Sequence, residues 1–134
     1  MHRFSIRVRY GDTDQMGIAY HANYLRWFEI GRAEMLRELG LSYRCVEQDL
    51  GVSLPVLVAH CEYRRAARYD DQVWIETAVA TFERASIRFA YRLVREDGEL
   101  LAEGYTEHCF LSRDGRPIRM PPELQSVMAR APRT

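Results

Sequence analysis

The stretch Tyr10-Gly-Asp-Thr-Asp-Gln-Met-Gly-Ile-Ala-Tyr-His-Ala-Asn-Tyr24 leads directly into an apolar segment with helical spacing. It contains two carboxylates, Asp12 and Asp14, followed by a histidine, His21, at the expected helix start. A carboxylate can act as a base or a nucleophile on an activated carbonyl. The free N–H groups at a helix N-terminus can stabilise the oxyanion that such an attack creates. The stretch therefore holds two components of an acyl-transfer site within one loop.

The segment that follows, from about residue 22 to 39, predicts a long helix. Apolar residues recur in it at helical spacing, and Gly40 stands where a left-handed C-terminal cap is expected. The first half is apolar on most sides, a pattern typical of an enclosed helix. Gly31 in its middle lowers helix propensity and indicates close approach of a neighbouring backbone.

Alternation of apolar and polar residues predicts a strand before the loop and four strands after the helix. The expected strands cover residues 4–8, 54–68, 72–82, 85–95 and 100–112. Asp97-Gly98 is a strong hairpin signal between the last two. Short helical segments are expected at 43–50 and, after a pair of prolines, at 123–131.

This order predicts an α+β fold in which one antiparallel sheet wraps around one apolar helix. A length of 134 residues is typical of a single domain, so we expect residues 1–134 to form one. Five strands and one helix cannot cover both faces and both edges of the sheet. We therefore expect a partner subunit to complete it.

Nineteen acidic residues balance nineteen basic ones, which argues against general nucleic-acid binding. All the basic residues are arginine, a bias that would serve an anionic substrate or reflect base composition or heat adaptation. No apolar run reaches the ~20 residues of a membrane span, and the N-terminus has no secretory h-region. Three cysteines without a CxxC spacing fit a reduced cytosol. We expect a cytoplasmic protein without a metal site.

The motif Tyr10-x-Asp-Thr-Asp-x-x-Gly-x-x-x-His-x-x-Tyr24, followed by Glu29-x-x-Arg32, resembles the hot-dog-fold acyl-CoA thioesterases. Its branch resembles the 4-hydroxybenzoyl-CoA thioesterase-like group, including the Tol-Pal-associated type. The resemblance covers nearly the whole chain. It implies a five-stranded antiparallel sheet around a central helix, and hydrolysis of an acyl-CoA to a free acid and CoA without metal or cofactor. It also implies a homodimer, often paired into a homotetramer, with sites at the subunit interface.

The resemblance also implies residue roles. Asp14 corresponds to the catalytic carboxylate, and the backbone N–H at His21 to the group that polarises the thioester carbonyl. Asp12 corresponds to a structural residue that orders the loop. Gly17, which favours a positive φ, and Tyr24 are expected to support the loop and the oxyanion site. Core packing is the alternative role for Tyr24.

Arginines are the candidates for the CoA phosphates, because guanidinium groups make bidentate contacts with phosphate. The candidate CoA-binding residues are Arg84, Ser86, Arg88, Arg116 and Arg119. A solvated strand face is the alternative interpretation of this set.

Two features of the helix leave alternatives open. Glu29 is expected to form an ion pair with Arg32 or Arg26, although other hot-dog branches use a helix glutamate in catalysis. Asn23 is an alternative N-cap to His21.

The alternative function is a non-hydrolytic acyl-CoA-binding or scaffold protein.

Overall fold

A computed structural model describes residues 1–134. The chain forms five strands and three α-helices, together with one 3₁₀ turn at Tyr10–Asp12. The strands are β1 (His2–Arg7), β2 (Val56–Tyr63), β3 (Gln72–Phe82), β4 (Ser86–Arg95) and β5 (Leu100–Cys109). The helices are α1 (Ala22–Glu38), α2 (Tyr43–Gln48) and α3 (Pro122–Arg130). The elements expected from the sequence are all present.

All strand pairs are antiparallel, and the spatial order in the sheet is β1-β3-β4-β5-β2. The β4–β5 hairpin turns at Asp97-Gly98, where Gly98 has φ +91°. The strand β2 pairs only with β5, so it forms one edge of the sheet. The predicted single antiparallel sheet with one long helix is confirmed.

The helix α1 packs against the sheet through fully buried side chains such as Phe28, Met35 and Leu36. Gly31 is the point of closest approach. A Cβ added there would lie 2.5 Å from Cγ2 of Ile75 and would also clash with the Thr77 hydroxyl. The expected close approach is therefore confirmed, but the neighbouring groups are side chains of β3 rather than backbone.

The strand expected over residues 54–68 is too long. It ends at Tyr63, because the N–H groups of Arg64 and Arg65 both donate to the Leu101 carbonyl, at 2.8 and 3.0 Å. The chain then turns towards the segment of residues 8–21, here called the motif loop. None of the helices combines the length and apolar character that crossing a bilayer requires.

Candidate active site

The motif loop is shaped by its two aspartates. The carboxylate of Asp12 accepts a hydrogen bond from the Arg9 N–H at 2.9 Å, and Oδ1 of Asp14 accepts one from the Met16 N–H at 2.9 Å. The Gly17 N–H donates to the Asp14 carbonyl at 3.0 Å, and Gly17 has φ +78°, the left-handed conformation expected of it. Self-bonding of this kind is typical of aspartate in tight turns.

Asp12 and Asp14 differ in their hydrogen-bond partners. The Asp12 carbonyl accepts hydrogen bonds from the Tyr20 N–H at 2.8 Å and from Nδ2 of Asn23 at 2.9 Å, which ties the loop to the helix. Asp14 is half-buried, forms no salt bridge, and leaves its second carboxylate oxygen without a partner in the protein. Asp12 therefore orders the loop, whereas Asp14 presents an oxygen that can react.

The start of α1 presents free backbone donors. His21 is the N-cap, and the N–H groups of His21 and Ala22 donate to no acceptor in the protein. The next two N–H groups are occupied, because Asn23 donates to the Tyr20 carbonyl at 2.9 Å and Tyr24 to the His21 carbonyl at 3.1 Å. Asn23 thus lies inside the helix and is not its N-cap. The free amides point outward from the positive end of the helix dipole.

A cavity of about 220 Å³ lies beside this helix start. Its lining consists of Ile18, Ala19, His21, Tyr24, Tyr63, Arg64, Arg65 and Ala66. Asp14 does not line it, but its N–H donates to the carbonyl of Ile18 at 2.9 Å. The structure therefore brings His21 and Tyr24 to one cavity and places Asp14 on the adjoining turn.

Tyr24 has a fixed position in the cavity wall. Its ring is buried and stacks on Trp27 with centroids 5.0 Å apart, and its hydroxyl accepts a 3.0 Å hydrogen bond from the Ala67 N–H. Burial raises the pKa of Tyr24. Tyr24 belongs to the core and also lines the cavity at His21, so the two roles expected from the sequence are compatible.

Tyr63 and the two arginines after it were not predicted as site residues. The Tyr63 hydroxyl donates to the His21 carbonyl at 3.2 Å, and its ring lies edge-on to Tyr24 at 5.0 Å. Arg64 pairs with carboxylates of β2 and β5, and Arg65 pairs with Glu99 at 3.2 Å. These residues follow His21 by more than forty positions, so no local sequence signal connects them with it.

The candidate CoA-binding residues do not lie together in one site. Arg84 and Arg119 line one cavity of about 400 Å³, where the Met120 N–H donates to the Arg84 carbonyl at 2.7 Å. Glu83 also lines this cavity. Two of the five candidates are thus brought together around one concave site.

Ser86 and Arg88 line a second cavity of about 380 Å³. The Arg88 guanidinium is already paired with Glu107 and lies 4.1 Å over the Tyr105 ring. Arg116 lines neither cavity and pairs with Asp114 at 3.2 Å. Arg84 and Arg119 are therefore the members of the set whose guanidinium groups form no ion pair in the structure.

The expected ion pair of Glu29 is absent. Glu29 forms no salt bridge, because Arg26 hydrogen-bonds the Asn23 side chain at 3.4 Å and Arg32 turns into the protein. That prediction is wrong. Helical spacing brings the two charges near each other, but the hydroxyl groups inside the fold hold the guanidinium instead.

Arg32 belongs to a buried polar chain that crosses the core. Its Nε donates to the Tyr43 hydroxyl at 3.0 Å and its Nη1 to the Tyr91 hydroxyl at 3.4 Å. The Tyr91 hydroxyl is 2.6 Å from Oγ1 of Thr106, which lies 2.8 Å from Nε2 of His108. This chain connects α1 to β5, and through β5 to the segment before β2.

His108 ends this chain. It is fully buried, and its Nδ1 lies 3.0 Å from the Leu54 carbonyl. Burial lowers the pKa of His108 to about 4. The imidazole is therefore neutral at physiological pH and serves as a structural hydrogen-bonding group.

The comparison with known families agrees with this geometry. The sequence model of the thioesterase-like superfamily matches residues 8–128. This chain belongs to the thioesterase-like superfamily. The match includes the motif loop, α1 and the candidate CoA arginines, so the family predicted from the sequence is confirmed.

Relatives named as thioesterases match most of the chain. The acyl-CoA thioesterase YbgC of Haemophilus influenzae is 32% identical over 92% of this chain and 91% of its own length. The putative acyl-CoA thioesterase YneP of Bacillus subtilis is 33% identical over 85% of this chain and 83% of its own length. The crystal structure of a DHNA-CoA thioesterase from Staphylococcus aureus has a TM-score of 0.89 at 32% identity, covering 95% of this chain and 87% of that one. The predicted hot-dog fold is confirmed.

Proposed function

We propose that Asp14 and the free amides at the start of α1 form the catalytic centre of this protein. The protein is an acyl-CoA thioesterase, which hydrolyses an acyl-CoA thioester to a free carboxylic acid and the CoA thiol. The observation that carries the assignment of residues is the pair of unoccupied N–H groups at His21 and Ala22, next to the turn that presents Asp14.

The chemistry follows from these groups. Asp14 either removes a proton from the attacking water or attacks the thioester carbonyl itself. In both routes the carbonyl carbon becomes tetrahedral and its oxygen gains negative charge. The His21 N–H donates to that oxygen where the charge develops, and the dipole of α1 adds to the effect. Collapse of the intermediate breaks the carbon–sulfur bond and releases the CoA thiolate. In the general-base route the free acid forms directly, and the thiolate takes up the proton that Asp14 removed from water. In the nucleophilic route an anhydride between the acyl group and Asp14 forms, and water hydrolyses it to the free acid and the Asp14 carboxylate, with a proton left for the thiolate.

We assign the phosphates of CoA to Arg84 and Arg119. Both guanidinium groups line one cavity and neither forms an ion pair. Ser86 and Arg88 line the neighbouring cavity and would extend the contact, whereas Arg116 lies apart with Asp114. Bidentate contacts from arginine are well matched to phosphate oxygens.

We propose that the working enzyme is a homodimer or homotetramer, built through the edge strand β2. Its apolar side chains are exposed, with Val56 at 48%, Leu57 at 61% and Val58 at 39%. An exposed apolar edge strand is prone to pair with another chain, and a second copy would extend the sheet symmetrically. Tyr63 at the end of β2 contacts His21, so this interface would adjoin the site.

We further propose one domain over residues 1–134 in the cytoplasm. One core cluster of 25 buried residues includes side chains from all three helices and three of the strands. The thiols of Cys45, Cys61 and Cys109 are all unpaired, which suits a reducing compartment.

The test is release of thiol from a panel of acyl-CoAs by the purified protein, followed with a thiol reagent. We expect turnover of at least one aliphatic or aromatic acyl-CoA, lost in Asp14→Asn. Tight binding of acyl-CoA without thiol release across the panel would contradict the proposal and favour a non-hydrolytic binding protein.

A further inference from the structure

A buried cation without a carboxylate partner lies on α1, away from the catalytic loop. Arg32 is 9% exposed, and no carboxylate oxygen lies within 4.0 Å of its guanidinium. Two of its five N–H donors contact tyrosine hydroxyls, at 3.0 Å to Tyr43 and 3.4 Å to Tyr91. Burying a guanidinium costs free energy unless an anion compensates it. The remaining donors can form a bidentate pair with a carboxylate.

Arg32 lines a cavity of about 420 Å³. Arg32, Ala33 and Tyr43 line one side of it, and the segment from Ser53 to Pro55 lines the other. Glu29 and Glu47 also line this cavity, but both are exposed and neither forms a salt bridge. The cavity thus has a buried positive wall and a solvated acidic rim, and its volume exceeds that of the cavity at His21.

The two cavities lie at opposite ends of the seam between α1 and β2. The first adjoins Tyr63, where β2 ends, and the second adjoins Pro55, just before β2 begins. Arg32 follows His21 by eleven residues, which is about three helical turns and about 16 Å along the same face of the helix. The tilt of side chains towards the helix N-terminus shortens the distance from Arg32 to the catalytic end.

The seam between the two cavities exposes apolar side chains. Leu25 of α1 is 37% exposed. On β2, Ala59 is exposed and pairs directly with Thr106, whose side chain points into the core, so Ala59 lies on the helix side of the sheet. An alkyl chain that starts at His21 and follows this seam would contact Leu25 and Ala59, and would pass the exposed Glu29 at the rim before it reaches the guanidinium.

We propose that Arg32 binds a carboxylate at the far end of the acyl chain, so that the enzyme prefers ω-carboxyacyl-CoA thioesters to neutral ones of equal length. The Tyr43 hydroxyl, which accepts from Arg32, has its own proton free to donate to the same carboxylate. This inference rests on the proposed thioesterase function and adds the substrate class to it.

The test compares suberoyl-CoA with octanoyl-CoA, which differ in the terminal carboxylate. We expect the wild-type kcat/KM to be at least 10-fold higher for suberoyl-CoA. Arg32→Gln should lower kcat/KM for suberoyl-CoA by about 10–100-fold, mainly through KM, and change octanoyl-CoA turnover little. Adipoyl-CoA and sebacoyl-CoA, with hexanoyl-CoA and decanoyl-CoA as matched neutral substrates, report the chain length that best spans the seam.

Two further variants keep the result interpretable if Arg32→Gln folds poorly. Tyr43→Phe removes one hydroxyl and should reduce the preference for suberoyl-CoA several-fold, whereas Arg37→Gln, on the exposed side of the same helix, should leave it unchanged. Equal or faster wild-type turnover of octanoyl-CoA would overturn the inference while leaving the thioesterase function intact. Loss of thermal stability in Glu29→Gln or Glu47→Gln equal to that in Arg32→Gln would also overturn it, because the ion-pair partner would then be internal.

Discussion

The side-chain amide of Asn23 donates a 2.9 Å hydrogen bond to the backbone carbonyl of Asp12, and so joins the first turn of α1 to the motif loop. The same carbonyl accepts a second bond from the Tyr20 N–H. Asp14 lies two residues beyond this anchor, on a turn closed by its own carbonyl and carboxylate. The position of the Asp14 carboxylate relative to the helix amides is therefore set by hydrogen bonds to backbone groups of the motif loop.

Asp14→Asn should lower kcat by about 100-fold or more, with little change in KM, because the amide keeps the oxygen that accepts from Met16 but cannot act as base or nucleophile. Steady-state kinetics on a good acyl-CoA substrate measures this. Asp12→Asn is the matched control and should act mainly through stability. Near-normal kcat in Asp14→Asn would exclude the mechanism and make Glu29 the next carboxylate to test.

Removal of the phosphate contacts should affect binding rather than chemistry. We expect Arg84→Ala and Arg119→Ala to raise KM for acyl-CoA several-fold more than they lower kcat, since the contact is shared by ground and transition states. Higher salt should weaken CoA binding in parallel. Arg37→Ala, an exposed arginine on α1, serves as the control. Unchanged CoA affinity in both variants would move the nucleotide site to another surface.

His108 predicts a loss of stability in mild acid. Its pKa falls from 6.5 in the unfolded chain to about 4 in the folded protein, because burial disfavours the imidazolium. Between pH 6.5 and pH 4, His108 binds a proton in the unfolded state but stays neutral in the native state. The free energy of unfolding therefore decreases as the pH falls to 4. The total decrease is about 3 kcal/mol. Denaturant unfolding of wild type and His108→Gln at several pH values tests this, and equal slopes for both proteins between pH 6.5 and 4 would contradict it.

Gly31→Ala should destabilise the fold by about 1–3 kcal/mol, because the added methyl group would overlap Ile75 and Thr77 where α1 meets β3. The opposite sign is expected from helix propensity alone, which favours alanine over glycine. Thermal unfolding distinguishes the two. Gly11→Ala, where nothing lies within 4 Å of the added Cβ, is the matched control.

A charge on the edge strand should separate the subunits. Val58→Lys places an ammonium on β2 at a position where a second sheet would pair, and edge lysines oppose such pairing. We expect sedimentation to show an oligomer for wild type at micromolar concentration and a shift towards monomer for Val58→Lys. Ala129→Lys on α3 should leave the oligomer unchanged. A fully active wild-type monomer would exclude the proposed assembly.

The elements of this fold could be predicted because their signals are local. The period-two alternation of β4, the helical spacing of apolar residues in α1 and the Asp97-Gly98 turn each depend on neighbours in the chain. The end of β2 could not be predicted in this way. Residues 64–68 contain no proline or glycine that would end the strand locally, but two N–H groups there bond the single carbonyl of Leu101 and turn the chain away.

The sequence by itself determined the motif loop, the helix that follows it and the family, because a carboxylate turn, a glycine with positive φ and a helix start interact over a few residues. Tertiary structure alone decided which residues, distant in sequence, contact the motif loop and α1. The Tyr63 hydroxyl bonds the His21 carbonyl, and Arg32 bonds the Tyr43 and Tyr91 hydroxyls instead of pairing with Glu29. Sheet register and helix packing bring these hydroxyls within 3.4 Å of their partners. Periodicity assigns a residue to a face of its own element, but it does not specify which side chain of another element will lie opposite.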